Sequence, residues 1–295
     1  MTDSPVLVTG GGGQLASDLQ EQLGRRGAEV HSPARTELDI TDDGAVADTF
    51  ADLRPALVFN CAAFHNVDVC EREEDRAFEV NVRAVKRLAE HCAARGATLV
   101  HLSTNYVFDG SSDQPYGELD RPAPRSVYAI SKLAGEYAAL AYAPDALVVR
   151  TAGLYGLHGS ASKGGNFVVR MITRAREQGT LSVVADQRLS PTYTADLATA
   201  LIQAIDRGAE GLLHITNAGE CSWYEFTRAI LELAAVDAPV EPVSTVVPEG
   251  GADRPLNGVL ARPRADAAGL DPLRAWDEAL ADYMMSAGLT PARAR

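Results

Sequence analysis

Tyr128 and Lys132 stand four residues apart in the segment Ser126-Val-Tyr128-Ala-Ile-Ser-Lys132, and the hydroxyls of Ser103 and Thr104 close an apolar run upstream. On a helix, positions i and i+4 share a face, about 6 Å apart along the axis. A phenol titrates near pH ~10, too high for easy proton exchange at neutral pH, and an ammonium close by favours its ionised form. The pair therefore offers Tyr128 as a general acid or base tuned by Lys132. A hydroxyl at the end of a strand offers a hydrogen bond to a substrate carbonyl. Each feature alone has a plainer reading: exposed helices carry Tyr-x-x-x-Lys by chance, and serine and threonine at strand ends cap turns.

Such side chains need a scaffold, and the first half of the chain reads as one. Short β-branched runs at Val6-Leu-Val-Thr9, Ala56-Leu-Val-Phe-Asn60, Thr98-Leu-Val-His-Leu102 and Ala146-Leu-Val-Val-Arg150 predict strands, with helical patterns between them over 14–26, 42–53, 75–95 and 126–142. This alternation predicts βαβ units in a parallel sheet, and the unbroken apolar character of the strands predicts helices on both faces. After Arg150 the rhythm loosens. A glycine-rich loop over 153–165 precedes helical patterns at 167–176, 194–205, 222–235 and 276–286, with short strands at Leu181-Ser-Val-Val184 and Leu212-Leu-His-Ile215.

Thr9-Gly10-Gly-Gly-Gly13-Gln-Leu-Ala16 directly follows the first strand and opens a helix. Glycines there let backbone N–H groups approach a pyrophosphate at a positive helix end. Both Gly11-x-Gly13-x-x-Ala16 and Gly10-x-x-Gly13-x-x-Ala16 fit, and Ala16 is small enough for close helix–strand packing. A flexible surface turn is the bland alternative; the order strand, turn, helix favours a dinucleotide. The second strand ends in Val30-His-Ser-Pro-Ala-Arg35, with no acid to grip a ribose 2′-hydroxyl, while Arg35 can pair with a 2′-phosphate, so NADP(H) is favoured over NAD(H) although Glu37 and Asp39 follow. Asn60-Cys61-Ala62-Ala63 leaves room for a cofactor. Asn81 can hold a water or backbone group that orients Lys132, or can be an ordinary buried asparagine.

The expected architecture is α/β: a Rossmann-type doubly wound parallel sheet over residues 1–150 binding NADP(H). A smaller, interleaved substrate-binding domain would occupy 151–295, some of its segments returning to the sheet. An apolar fraction of 46% and a charged fraction of 23% suit a globular protein with a sizeable core. A net charge of −13 argues against a nucleic-acid backbone as partner. Four cysteines without paired spacing, no leader pattern and no apolar run of membrane-span length point to a cytoplasmic protein that engages no membrane. The six histidines lack ligand spacing, and no metal is expected.

Taken in order, the glycine turn, Asn60-Cys-Ala-Ala63, Ser103-Thr104 and Tyr128-x-x-x-Lys132 resemble an extended short-chain dehydrogenase/reductase. The likeness is closer to the dTDP-4-dehydrorhamnose reductase group, through Gly13-Gln-Leu, Leu38-Asp-Ile-Thr-Asp42, Val67-Asp68, Val80-Asn81, His101-Leu-Ser-Thr-Asn-Tyr-Val-Phe-Asp-Gly110, Lys132-Leu-Ala-Gly-Glu136, Gly165-Asn-Phe167, Asp186-Gln187, Ser190-Pro-Thr192 and Arg254-Pro255. The resemblance implies reduction of the 4-keto group of a nucleotide-linked 6-deoxyhexose by NADPH. Tyr128 would protonate the oxygen, Thr104 would hydrogen-bond it, and Lys132 would bind the nicotinamide ribose and lower the tyrosine pKa. Cofactor contacts would come from Gly10, Gly12, Gly13, Gln14, Leu15, Arg35, Asp39, Ile40, Cys61, Ala62, Ala63, Asn81, Ser103, Tyr128 and Lys132. The nucleotide sugar would meet Val67, Asp68, Thr104, Asn105, Tyr128, Gly153, Asn166, Phe167 and Arg254, the last suited to a diphosphate by its guanidinium fork. The expected partners are this substrate and, at most, a second copy of the chain as a homodimer.

Two positions depart from the group's pattern. Asn105 stands where the group has aspartate, and Gly153 where it carries a tryptophan that packs on the sugar. The loop 157–163, with His158, is the expected source of replacement contacts. The departures leave another nucleotide-linked ketosugar open as substrate. A non-catalytic cofactor-binding subunit, similar to the β subunit of methionine adenosyltransferase, is disfavoured by the intact Tyr128, Lys132 and Thr104, and a dehydratase by the amide at 105.

Overall fold

The strands predicted in the first half fold into one sheet in the computed structural model, which describes residues 4–158 and 165–291. In chain order the elements are β1 Val6–Thr9, α1 Gln14–Arg25, β2 Val30–His31, α2 Asp43–Leu53, β3 Leu57–Asn60, α3 Val67–Cys70, α4 Glu74–Phe78, α5 Ala84–Arg95, β4 Thr98–Thr104, α6 Val127–Tyr142, β5 Leu147–Thr151, β6 Leu154–Tyr155 and α7 Phe167–Gln178. They continue with β7 Leu181–Val184, β8 Arg188–Leu189, β9 Thr192–Tyr193, α8 Thr194–Asp206, β10 Gly211–His214, β11 Cys221–Ser222, α9 Trp223–Leu233, β12 Val240–Val243, α10 Pro263–Ala267 and α11 Trp276–Ser286.

Six parallel strands run in the order β10-β5-β4-β3-β1-β2. The chain leaves β1 for the β2 edge, then crosses back past β1 to β3, so a crevice opens where β1 and β3 end. That reversal point is where open α/β sheets receive their ligands. β1, β3 and β5 are buried along their whole length, as strands covered on both faces must be. One apolar layer joins the sheet to α1 and α8, and the other joins it to α2, α5 and α6.

β10 completes the sheet and α8 packs beside α1, so residues 194–214 belong to the cofactor-side core rather than to a separate substrate unit. The rest of the second half surrounds its own aromatic core of Tyr155, Tyr193, Phe226 and Tyr283, stitched by the two-stranded pairs β7/β12, β8/β11 and β6/β9. Among the described residues no helix is long and apolar enough to cross a membrane.

Two local differences from the sequence reading matter for the site. β4 runs on through Ser103 and Thr104, which places the two hydroxyls on opposite faces of the pleat. The helix expected over 75–95 is interrupted by a π-helical turn, Glu79–Arg83, that carries Asn81. Gly135 of α6 packs so closely there that a Cβ on it would lie 2.3 Å from the Asn81 carbonyl oxygen. The widened turn and the bare glycine bring α6, with Tyr128 and Lys132, down onto β4.

Candidate active site

The glycine turn has the form a dinucleotide needs. Gly11 forms a parallel bridge with Ala34 beyond β2, and a Cβ on it would lie 2.2 Å from the Ser32 carbonyl oxygen. Gly12, by contrast, has φ +75° and open space around it, so its backbone faces the crevice unshielded. Gly13 offers α1 no side-chain cap and the first turn holds no acid, leaving its N–H groups free for an anion. Among the described residues the buried Gln14 Oε1 also lacks a hydrogen-bond partner. These residues fit the pyrophosphate and adjoining ribose of a dinucleotide. Arg35 is exposed at this end of the sheet, its guanidinium 3.0 Å from Asp39 Oδ2, while Asp39 Oδ1 accepts from the Thr41 backbone and hydroxyl. Ile40 is buried in the core next to this turn.

Lys132 and Tyr128 start α6, which Ser126 caps by accepting from the Ala129 N–H. Lys132 is only 2% exposed, and its Nζ donates to the Leu102 carbonyl at 2.6 Å. Burial lowers its pKa to about 8, with Glu136 and Cys61 acting against the shift. Tyr128 is half-buried, hydrogen-bonded to Thr104, and edge-on to Tyr106 with ring centroids 5.9 Å apart. Burial pushes its phenol above the ordinary range, and the Thr104 hydrogen bond offsets only part of that. The expected lowering of the tyrosine pKa by Lys132 is absent from this geometry, because the ammonium is drawn down to the β4 carbonyl instead.

Other expected cofactor residues divide. Cys61, Ala62 and Ala63 are partly exposed along the β3 end of the crevice, and burial raises the Cys61 thiol to about 12. Ser103 does not face the crevice: its Oγ donates to Glu136, which is gripped by Arg150 through bonds of 2.8 and 2.7 Å. Asn81 holds a backbone group, that of Phe64: its amide accepts from the N–H at 2.9 Å and donates to the carbonyl at 3.0 Å, and it donates also to Ser131.

The residues assigned to the sugar nucleotide are scattered differently. Val67 and Asp68 lie in α3. Asp68 pairs with Arg254, 186 residues away in sequence, at 2.7 Å and accepts also from the Ala252 N–H, so the guanidinium holds its carboxyl below the usual range. Arg254 hydrogen-bonds Tyr106 as well, which joins it to the Tyr128 side of the crevice. Asn105 is buried and donates to the Gly258 carbonyl at 2.9 Å, so its amide docks the C-terminal loop instead of facing a substrate. Asn166 is also spent internally. It caps α7 through the Val169 N–H and donates to the Gly156 carbonyl and the Tyr283 hydroxyl, both at 2.7 Å. Phe167 packs on Trp223, centroids 4.4 Å apart. At Gly153, φ is +56° and a Cβ would meet Leu189 Cδ1 at 2.6 Å, so that spot is filled from β8. Of the loop 157–163, residues 159–163 lie outside the described residues.

A family model described as the RmlD substrate binding domain matches residues 4–288. The chain belongs to that family. A dTDP-4-dehydrorhamnose reductase of Streptomyces griseus is 44% identical over 94% of this chain and 91% of its own length. A dTDP-4-keto-6-deoxy-D-glucose reductase of Streptomyces niveus is 40% identical over 95% and 96%. A crystal structure of dTDP-4-dehydrorhamnose reductase from Bacillus anthracis in complex with NADP superposes with a TM-score of 0.90 at 35% identity, covering 97% of this chain and 100% of that one.

Within this RmlD-type frame, sequence reasoning passed over Tyr106, His101 and Leu189. Tyr106 lies two residues after Thr104, yet only folding sets it between Tyr128 and Arg254. Leu189 replaces a side chain at Gly153 from another element, which spacing along the chain cannot reveal. The scattered histidines also hid one grouping: buried Asp18, which faces Gly156 and Thr194, and exposed Glu21 and His158 bring ligand atoms within 4.8 Å of one another.

Proposed function

We propose that this chain is an NADP(H)-dependent reductase of the 4-keto group of a dTDP-4-dehydro-6-deoxyhexose, acting in deoxysugar biosynthesis. The observation that carries the reading is the grouping of Tyr128, Thr104 and Lys132 beside the glycine turn, in a chain whose relatives are reductases of dTDP-linked ketosugars. When bound, NADPH supplies hydride to the carbonyl carbon. Tyr128 supplies the proton to the oxygen, and a phenol kept protonated by burial is in the state a donor requires at neutral pH. Thr104 orients that oxygen. Lys132 stays charged at pH 7 and offers its remaining N–H bonds to the nicotinamide ribose. The glycine turn and the α1 N-terminus hold the pyrophosphate. Arg35 takes the 2′-phosphate in competition with Asp39, the basis for preferring NADP(H) to NAD(H). Arg254, shared with Asp68, meets the sugar nucleotide's diphosphate.

The test is NADPH oxidation against a panel of dTDP-4-keto-6-deoxy sugars, with the C4 configuration of each product determined and NADH run in parallel. Turnover of none would sink the reading, and a strong NADH preference would sink the role given to Arg35. The second reading changes only the sugar, and Gly153 favours it: with Leu189 filling the platform position, the crevice presents an aliphatic wall where the group places an indole.

A further inference from the structure

Beneath Lys132 runs a row of buried polar side chains that the proposed reaction leaves without a role. Strand register sets Thr9 of β1 opposite Asn60 of β3, and Asn60 opposite His101 of β4. All three are essentially inaccessible to solvent. Thr9 Oγ1 lies 2.7 Å from Asn60 Oδ1, Asn60 Nδ2 lies 3.1 Å from His101 Nδ1, and His101 Nε2 lies 3.4 Å from Lys132 Nζ. Polar groups this deep in an apolar sheet are costly unless each is hydrogen-bonded, so the sense of every bond in the row is constrained.

Counting hydrogens fixes that sense. An ammonium has three donors and no acceptor, so His101 Nε2 can face a charged Lys132 only with its lone pair. The ring proton then sits on Nδ1 and donates to Asn60. As placed, the amide has the opposite sense, with Oδ1 accepting from Thr9 and Nδ2 toward the ring. Its two ends have the same shape, so a charged Lys132 requires it turned end for end, Oδ1 to the ring and Nδ2 to Thr9. With Lys132 uncharged the row reverses: Nε2–H donates to the amine, Nδ1 accepts from the Asn60 amide, and Thr9 donates to Oδ1.

We propose that His101 is the positioning residue for Lys132: a neutral imidazole, held in the Nδ1–H form by Asn60 and Thr9, that accepts from the ammonium and keeps it charged and in place below the cofactor turn. Burial holds the imidazole neutral, since its pKa lies well below the usual histidine value. The other groups facing Lys132 are Glu136 from its own helix, Cys61 from the β3 end and the Leu102 carbonyl of β4. None of them can replace the acceptor at Nε2 without leaving its own partner or position. The proposal rests on the reading of Lys132 as a charged group needed for turnover.

Nitrogen NMR of the full chain with labelled histidine, free of ligands at neutral pH, reads the tautomer directly, with His101 assigned by the signals lost in His101→Gln. The expected result is a neutral ring protonated at Nδ1; an Nε2–H ring or an imidazolium overturns the proposal. Two variants then separate the halves of the row. Gln places an amide oxygen near the Nε2 position and keeps an acceptor for Lys132, whereas Asn reaches only the Nδ1 position. Loss of the acceptor disfavours charged Lys132, so in His101→Asn the basic limb of kcat/KM, expected near pH 8 from the lysine, moves down by about one pH unit. In His101→Gln it stays near the unsubstituted position. Equal limbs in the three proteins overturn the proposal. If no sugar is turned over at all, the functional reading fails, while the tautomer still decides the role of His101.

Discussion

Along the β4–α6 seam, alternate strand residues meet every fourth helix residue, His101 against Lys132 and Ser103 against Glu136. Across the crevice, the rim proposed for the sugar nucleotide draws on α3, the loop after β5, the start of α7 and the loop carrying Arg254, with contacts between distant segments such as Asp68–Arg254 and Asn105–Gly258. The seam is a repeat of regular elements with every polar group tied beneath it, so its geometry is fixed before any ligand arrives. The rim depends on loops whose side chains are largely spent on holding one another.

If the seam carries the reaction, removing its proton donor has the largest effect. Tyr128→Phe is expected to lower kcat by about a thousandfold while NADPH binding, followed by fluorescence titration, stays close to that of the unsubstituted protein. Retained turnover would remove Tyr128 from the reaction and erase the distinction between the two regions.

The same contrast explains what could be read from the sequence. The sheet, its helices and the Tyr128–Lys132 spacing were legible because periodicity within one element determines which residues share a face. Residue pattern alone left Ser103 and Thr104 as equivalent hydroxyls at a strand end, and only the family resemblance gave them different roles. The continuation of β4 through both supplies the physical reason, since one residue of extension decides which hydroxyl faces the crevice. Asn166 and Asn105 looked like ligands by family position, yet Asn166 caps α7 locally and donates to the distant Tyr283, and Asn105 docks the distant Gly258. Gly153 hid its partner altogether, because Leu189 arrives from β8.

At the rim, Arg254→Ala removes the guanidinium that Asp68 and Tyr106 hold in place. A charge-assisted contact to a diphosphate lost in this way is expected to raise KM for the nucleotide sugar about 10- to 100-fold, with a much smaller change in kcat. Steady-state kinetics over a sugar titration distinguish the outcomes; a fall confined to kcat would place Arg254 with the seam instead of the rim.

Asn105 touches both regions, since it follows Thr104 and its amide docks the Arg254 loop. Asn105→Asp keeps the size but loses the donor and sets a buried carboxylate against the Gly258 carbonyl. The expected outcome is a loss of about 1–3 kcal/mol in unfolding free energy and a KM increase of roughly tenfold as the loop loosens. Unchanged denaturant midpoint and KM would mean that the loop is held without this bond.

The smallest effect belongs to Gly153 and is read as stability. Its φ of +56° costs a residue with a side chain about 1–2 kcal/mol, and a Cβ there would press on Leu189 Cδ1 at 2.6 Å and on the Pro191 Cα at 3.2 Å. Gly153→Ala is therefore expected to lower Tm by about 2–6 °C with turnover nearly intact, because no group of the seam depends on that turn. Adding Leu189→Ala clears the methyl contact but not the backbone strain or Pro191. Its effect on the Gly153→Ala penalty, taken through a double-mutant cycle, should be a partial recovery. Full additivity of the two changes would show that Leu189 does not fill the position.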